Sequence, residues 1–232
     1  MTIDRERYTR QIDLKEVGEC GQQRLAEASV LIVGVGGLGS PIATLLTSSG
    51  VGRIGIIDSD VVSISNLPRQ TLYTEQDLGL PKVECAKRRL SAMNSTTIIE
   101  SYNERLTSEN CMRIVSNYDI LVDGTDNADS RYLIDEICAE LHKPYIYGAI
   151  SGFKGQVSIF HYQDSGGYRD LYPKESQPAP TPPPAVISTT PALVGAIEAN
   201  EVMKIVIGDK NTLTSKLLNI DLLSYRVEIF EI

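Results

Sequence analysis

Apolar residues follow two rhythms along this chain. Short unbroken apolar runs, such as Val30-Leu31-Ile32-Val33, recur near 53–58, 118–122 and 144–149, and they end in glycine, an acid or another turn residue. Runs of this length and composition read as strands buried on both faces. Between them, apolar positions recur at helical spacing, as in Val83, Ala86, Leu90 and Met93. The pattern predicts strands at 29–33, 53–58, 97–102, 118–122 and 144–149. It predicts helices at about 22–28 and 38–49, one opened by Pro81, one from Ser108, and one reaching Leu141. Proline suits the first turn of a helix, where its missing N–H is not needed. Regular alternation of the two element types makes an α/β fold: a doubly wound, mainly parallel sheet with helices on both faces.

The last third changes character. Residues 156–162 alternate as an antiparallel strand does, and a helix at about 191–207 is followed by strands near 216–221 and 225–231. The parallel sheet is thus expected to continue into antiparallel strands. Residues 163–190 follow neither rhythm and form a long Pro-rich crossover loop, with Gln177-Pro178-Ala179-Pro180-Thr181-Pro182-Pro183-Pro184 at its centre. Such composition favours an extended path. A loop this long within a domain is usually functional or mobile.

Composition narrows the classes. At 232 residues with 42% hydrophobic and 22% charged residues the chain is an ordinary globular protein. The net charge of −8 argues against a nucleic-acid partner. No run reaches membrane-spanning length and the first residues carry no apolar signal core, so no membrane partner and a cytoplasmic location are expected. Cys20, Cys85, Cys111 and Cys138 form no C-x-x-C pair and read as reduced thiols. The only histidines, His142 and His161, read as structural.

The first strand runs into Gly34-Val35-Gly36-Gly37-Leu38-Gly39, and Asp58 ends the second apolar run. Glycines let a backbone approach phosphate closely, and the following helix offers free N–H groups and a positive dipole end. An acid about twenty residues on is placed to bind ribose. The stretch is therefore a nucleotide site of the Rossmann kind. No Gly-Lys-Ser/Thr follows, so it is not a Walker A loop.

Around it lie R-Y-x-R-Q-I with Arg10, D-x-D with Asp58 and Asp60, S-N-L-x-R-Q with Asn66, Arg69 and Gln70, G-x-P-K with Lys82, and D-x-T-D-N with Asp126 and Asn127. Together these resemble the adenylating enzymes that activate ubiquitin-like proteins, specifically the bacterial ThiF/MoeB/HesA branch. The resemblance spans about 5–162 and 191–207. It implies that Gly34, Gly36, Gly37, Leu38, Gly39 and Asp58 hold ATP, with Asp60, Gln70 and Asn127 in the same site. It implies that Asn66, Arg69 and Lys82 face the triphosphate and that Asp126 holds Mg2+. It also implies a homodimer in which Arg10 completes the neighbouring site. Catalytic roles fall to Arg10, Arg69, Lys82 and Asp126. Asp60 and Asp123 are equally well explained by loop hydrogen bonding.

The chain departs from that family in two places. Many relatives bind zinc through two C-x-x-C pairs, one as Cys-Tyr-Arg-Cys. Here the corresponding stretch is Gly167-Tyr168-Arg169-Asp170, no second pair occurs, and zinc is predicted absent. Many relatives also carry a cysteine in the crossover loop, where ungapped alignment from Lys204 places Thr181. The resemblance then implies a single adenylation domain over 1–232: a helical segment 1–28, a nucleotide-binding core 29–150 and a carrier-binding part 151–232. Its expected activity is ATP-dependent adenylation of the C-terminal glycine of a small sulfur carrier of the ThiS/MoaD type ending in Gly-Gly. Acyl-AMP and pyrophosphate would form for thiamine or molybdenum cofactor synthesis, without a covalent enzyme–carrier bond. The alternatives are adenylation of a ribosomal peptide or a modified tRNA nucleoside, a non-catalytic nucleotide-binding scaffold, and, last, a nicotinamide dehydrogenase.

Overall fold

Four of the five residues in β1 (Ser29–Val33) and β2 (Arg53–Ile57) are buried, as is all of β4 (Ile120–Asp123). That pattern follows from their position in the middle of an eight-stranded sheet covered on both sides. The computed structural model describes residues 3–173 and 184–232. With β3 (Ile98–Tyr102), β5 (Tyr145–Ser151), β6 (Lys154–Phe160), β7 (Lys216–Asp221) and β8 (Arg226–Glu231), the strand order is β3-β2-β1-β4-β5-β6-β7-β8. The first five strands of that order pair in parallel and the rest antiparallel. The change follows from the connections. Helical crossovers feed parallel strands, whereas β5 and β6 meet through Gly152-Phe153, with Gly152 at φ 59°.

The helices are α1 (Arg5–Ile12), α2 (Gly18–Glu27), α3 (Gly39–Ser48), α4 (Lys82–Met93), α5 (Cys111–Val115), α6 (Ala128–Leu141), α7 (Tyr168–Leu171) and α8 (Thr189–Ile207). One core layer joins Ile42, Leu46, Val83, Leu90, Val194 and Val202 to Ile32, Ile54, Ile56 and Val122 of the sheet. The opposite layer joins Ile114, Tyr132, Ile137 and Tyr168 to Leu31, Val33, Leu121 and Tyr145. The doubly wound arrangement expected from the apolar pattern is thus what the chain adopts.

Local boundaries differ where capping overrides propensity. Pro81 stands at the N-cap of α4 rather than in its first turn, with ψ 130°, and its carbonyl accepts from the Cys85 N–H at 3.2 Å. The helix expected from Ser108 begins at Cys111, because Asn110 Oδ1 accepts from the Thr107 N–H at 2.8 Å and folds the intervening residues into a turn. The span 163–190, expected to be irregular, contains α7 and the first residues of α8. The residues 177–183 of the proline run, and Thr181 among them, lie outside the described residues.

The stretch Gly167-Tyr168-Arg169-Asp170 forms α7 and its cap. Asp135 of α6 accepts from the Tyr168 N–H at 2.6 Å, and its Oδ1 lies 2.7 Å from His161 Nε2. Asp170 Oδ2 accepts from the Gly167 N–H at 2.8 Å, and the Tyr168 ring meets Tyr132 edge-on at 5.2 Å. His142 ends α6 in the left-handed conformation. His161 is thus part of the contact between α6 and α7, and neither histidine lines the cavity at the carboxyl ends of the strands. Cys85, Cys111 and Cys138 are buried as small apolar residues, and Cys20 is exposed on α2. No described helix is long and apolar enough to cross a membrane.

Candidate active site

The carboxyl ends of β1, β2, β4 and β5 open into a cavity of about 540 Å3. This is where ligands of doubly wound sheets bind. Its floor is the turn that leaves β1. Gly34 has φ 88°, and a Cβ there would meet the Gly124 carbonyl oxygen at 2.7 Å. Glycine alone allows β1 and β4 to release their chains so close together. Val35 is pinned from two sides: its carbonyl accepts from Tyr73 Oη at 2.7 Å and its N–H donates to Asp58 Oδ2 at 3.0 Å. Burial pushes the Tyr73 hydroxyl pKa well up, aided by Asp58, so this donor keeps its proton throughout the neutral range. Leu38, the N-cap of α3, makes no side-chain capping bond, which leaves the positive end of that helix facing the cavity.

Asp58 also accepts from the Asp60 N–H through Oδ1 at 2.8 Å, so both carboxylate oxygens are oriented by backbone donors. Lys82, at the start of α4, is only 4% exposed and its Nζ lies 2.8 Å from Asp60 Oδ2. The Lys82 N–H meets the Asp60 carbonyl at 3.0 Å, which ties α4 to the same loop. Arg69 Nη1 donates to the Ser65 carbonyl at 2.9 Å. Gln70 is buried against Gly36, and its Oε1 has no hydrogen-bond partner.

Gly34, Gly36, Gly37, Leu38, Asp58, Asp60, Arg69, Gln70, Lys82, Asp126 and Asn127 all line this cavity. Three residues singled out with them do not. Gly39 is a packing residue: a Cβ there would come 2.0 Å from the Gly34 carbonyl oxygen. Asn66 turns its Oδ1 to its own loop, accepting from the Ser63 N–H at 3.0 Å. Arg10 is exposed on α1, away from the cavity of its own chain.

Arg131 is a cavity residue that motif reading passes over. Asn127 caps α6 by accepting from the Ser130 N–H at 2.9 Å. Arg131 lies four positions after that cap. Helical side chains tilt toward the N-terminus, so an arginine at this place reaches back to the strand ends. Its Nε lies 3.0 Å from Asp123 Oδ2, and its Nη2 donates to the carbonyls of Thr125 at 3.2 Å and Gly148 at 3.3 Å. Burial works against the guanidinium charge, yet Asp123 together with Tyr147, Tyr145 and Tyr168 outweighs it and holds the pKa above the ordinary arginine value. Asp123 is itself fully buried and also accepts from Thr125 N, Thr125 Oγ1 and Tyr145 Oη. Loop hydrogen bonding is thus its role. The spacing from the Asn127 cap is the signal that would have found Arg131.

Pro184 and Val186, which precede α8, close the cavity from the C-terminal part of the chain. The Gly152 N–H donates to the Ala185 carbonyl at 2.8 Å, and Thr190 Oγ1 donates to the Gly152 carbonyl at 2.9 Å. Pro191 then packs on Gly37 of the phosphate turn, where a Cβ would be 3.3 Å away. Backbone donors, Arg69, Lys82 and Arg131 around one cavity can hold a polyphosphate. The Asp126 carboxylate accepts only a 3.4 Å contact from Asn127 and is available to a hard cation.

The profile described as the ThiF family matches residues 8–232. The chain is 43% identical over 230 residues to a probable molybdopterin-synthase adenylyltransferase of Porphyra purpurea, covering 97% of this chain and 60% of that protein. It is 44% identical over 226 residues to a sulfur carrier protein adenylyltransferase of Thermus thermophilus, covering 94% and 83%. The chain thus spans less than two thirds of the algal relative's length. Among solved structures, E. coli MccB with ATP superposes with a TM-score of 0.79 at 25% identity, covering 91% of this chain and 65% of that one.

Proposed function

This chain belongs to the ThiF family, and from that premise we propose that it uses ATP to adenylate the C-terminal glycine of a small ubiquitin-fold sulfur carrier ending in Gly-Gly. One observation carries the reading: Asp58, Arg69, Lys82 and Asp126, drawn from four separate motifs, converge with the glycine turn on a single cavity. The names of the algal and Thermus relatives support the same activity.

The chemistry asks little of the protein beyond placement and charge. A carboxylate oxygen of the carrier attacks the α-phosphorus of ATP. The bond from that phosphorus to the oxygen bridging to the β-phosphate breaks, and pyrophosphate leaves with the electron pair. Charge grows on the phosphoryl and leaving oxygens, where Lys82 and Arg69 meet it. Asp58 receives the ribose hydroxyls with a carboxylate already oriented by two N–H groups. The described residues hold no cluster of three or more metal-ligating side chains. A single carboxylate is nevertheless a fitting donor set for magnesium, which keeps waters and phosphate oxygens in its shell. Bound at Asp126, that ion would neutralise phosphate charge. None of the four cysteines lines the cavity, so the acyl-adenylate is the last species the enzyme makes.

The test is ATP–pyrophosphate exchange with a Gly-Gly-ending carrier of the same genome. Exchange that requires the terminal glycine is the expected result, with no reductant-sensitive enzyme–carrier adduct. Absence of exchange with every such carrier would overturn the activity, and an adduct would overturn the thiol-free route.

We further propose a homodimer in which Arg10 serves the neighbouring site, because α1 presents it outward and away from its own cavity. Arg10→Ala and Lys82→Ala proteins are each expected to be inactive alone. Unfolded, mixed in equal amounts and refolded, they should recover about a quarter of wild-type exchange: half of the dimers are mixed, and each has one intact site of two. No recovery would show that Arg10 acts in its own subunit or not at all.

A further inference from the structure

Glu198 lies in the middle of α8, is fully buried, and neither of its carboxyl oxygens has a hydrogen-bond partner. No motif points to it and it does not line the cavity. Its carboxyl fills the space that a side chain on Gly148 of β5 would take: a Cβ there would fall 2.3 Å from its Cδ and 2.4 and 2.5 Å from its two oxygens. Gly148 is the residue whose carbonyl receives Arg131 Nη2, and the next two residues of β5, Ala149 and Ile150, are cavity wall. The acid therefore stands directly behind the backbone that anchors Arg131.

We propose that Glu198 is a positioning residue for the nucleotide site: its carboxyl props Gly148 from the α8 side and so fixes the carbonyl to which Arg131 is tied at the cavity wall. The prop works only as a neutral acid. Asp123 and Arg131 already form a buried pair of opposite charges, and an ionised Glu198 would add a second carboxylate to one guanidinium. Among the described residues nothing else nearby offers compensation. α3 carries no charged residue. The rings of Tyr145 and Tyr147 belong to the opposite core layer. Lys154 of β6 is exposed. Among the charged residues of α2, Arg24 bonds to the Ile207 carbonyl at the far end of α8, while Glu19 and Glu27 are not buried. On α8 itself Glu201 is paired with Lys204 and accepts from the Leu213 N–H. Burial first, and Asp123 second, push the Glu198 pKa well above the ordinary glutamate value, against the pull of Arg131.

The sign of the linkage follows. A carboxyl whose pKa is raised in the fold holds a proton that it loses on unfolding above the ordinary glutamate range. Its contribution to stability is therefore most favourable at low pH and declines as pH rises from that range toward the folded pKa.

The inference rests on the adenylation reading for its activity readout, so the experiment pairs that readout with two that need no turnover. Infrared difference spectra of wild type against Glu198→Gln, without ATP or carrier, should show a protonated carboxyl band present only in wild type at pH 7. The midpoint of thermal unfolding should fall for wild type relative to Glu198→Gln between pH 5 and pH 8. In exchange assays Glu198→Ala should lower kcat/KM for ATP by about tenfold. Glu198→Gln should recover most of that loss, and a decline in exchange at alkaline pH is expected for wild type and not for Glu198→Gln. A missing band, parallel unfolding profiles, or Glu198→Ala exchange equal to wild type would each overturn the proposal. A wild-type protein that shows the band and the unfolding profile yet exchanges with no carrier would instead count against adenylation.

Discussion

Lys82→Ala is expected to reduce carrier-dependent pyrophosphate exchange by about a hundred- to a thousandfold, the effect of removing one preorganised charge from a site where negative charge develops. The loss should fall mainly on kcat, because the ammonium is needed most when pyrophosphate departs. Folding should be little affected. The partner that Lys82 holds without ligand, Asp60, is 68% exposed in its side chain, and pairs with an open partner contribute about 0–1 kcal/mol. Losing that partner also releases Asp60 to water rather than stranding it. Steady-state kinetics beside a thermal melt separate the two effects. Exchange within tenfold of wild type would show that Lys82 does not meet the reacting phosphates.

The second large effect is structural. Asp123→Ala removes a fully buried carboxylate that orients Arg131, Thr125 and Tyr145 together. The guanidinium it leaves behind is largely buried, and breaking such a pair from one side costs about 3–5 kcal/mol. In a protein of this size that corresponds to a fall of about 10 °C in Tm. Asp123→Asn, which keeps the shape and one of the two acceptor oxygens, should lose less. Differential scanning calorimetry of the two variants checks the order, and equal Tm values for Asp123→Ala and wild type would refute the account. The contrast between the two substitutions is instructive. Lys82 lines the cavity and pairs with the exposed Asp60, whereas the charge of Asp123 faces only protein.

The central sheet could be read from the chain because its strands are buried on both faces, which makes unbroken apolar runs such as Val30 to Val33. The far edge is different: β8 is largely exposed, while Leu217, Leu218 and Ile220 of its neighbour β7 are buried. What escaped is short or held by single polar contacts. α7 is four residues long and depends on Asp135, which lies more than thirty residues before it. In the site, motif membership proved to mix two roles. Gly36 and Arg69 line the cavity, while Gly39 and Asn66 of the same two motifs shape the turns that carry them. Spacing alone cannot separate a residue that touches a ligand from one that lets its neighbour do so. Arg131 and Glu198 escaped because each acts through a contact between elements distant in the chain: α6 on β4 and β5, and α8 on β5.

Pro191, at the head of α8, rests on Gly37 of the turn below β1, and farther along the same helix Gly195 sits so close to the Leu38 carbonyl that a Cβ would be 2.8 Å from it. The glycine turn at the cavity floor and the head of α8 therefore share one mechanical seat. Neither can shift by an ångström without pushing the other, since interiors packed at this density transmit displacement rather than absorb it. A displacement of α8 is felt at the glycine turn as a change of shape, and the same contact carries the pressure back.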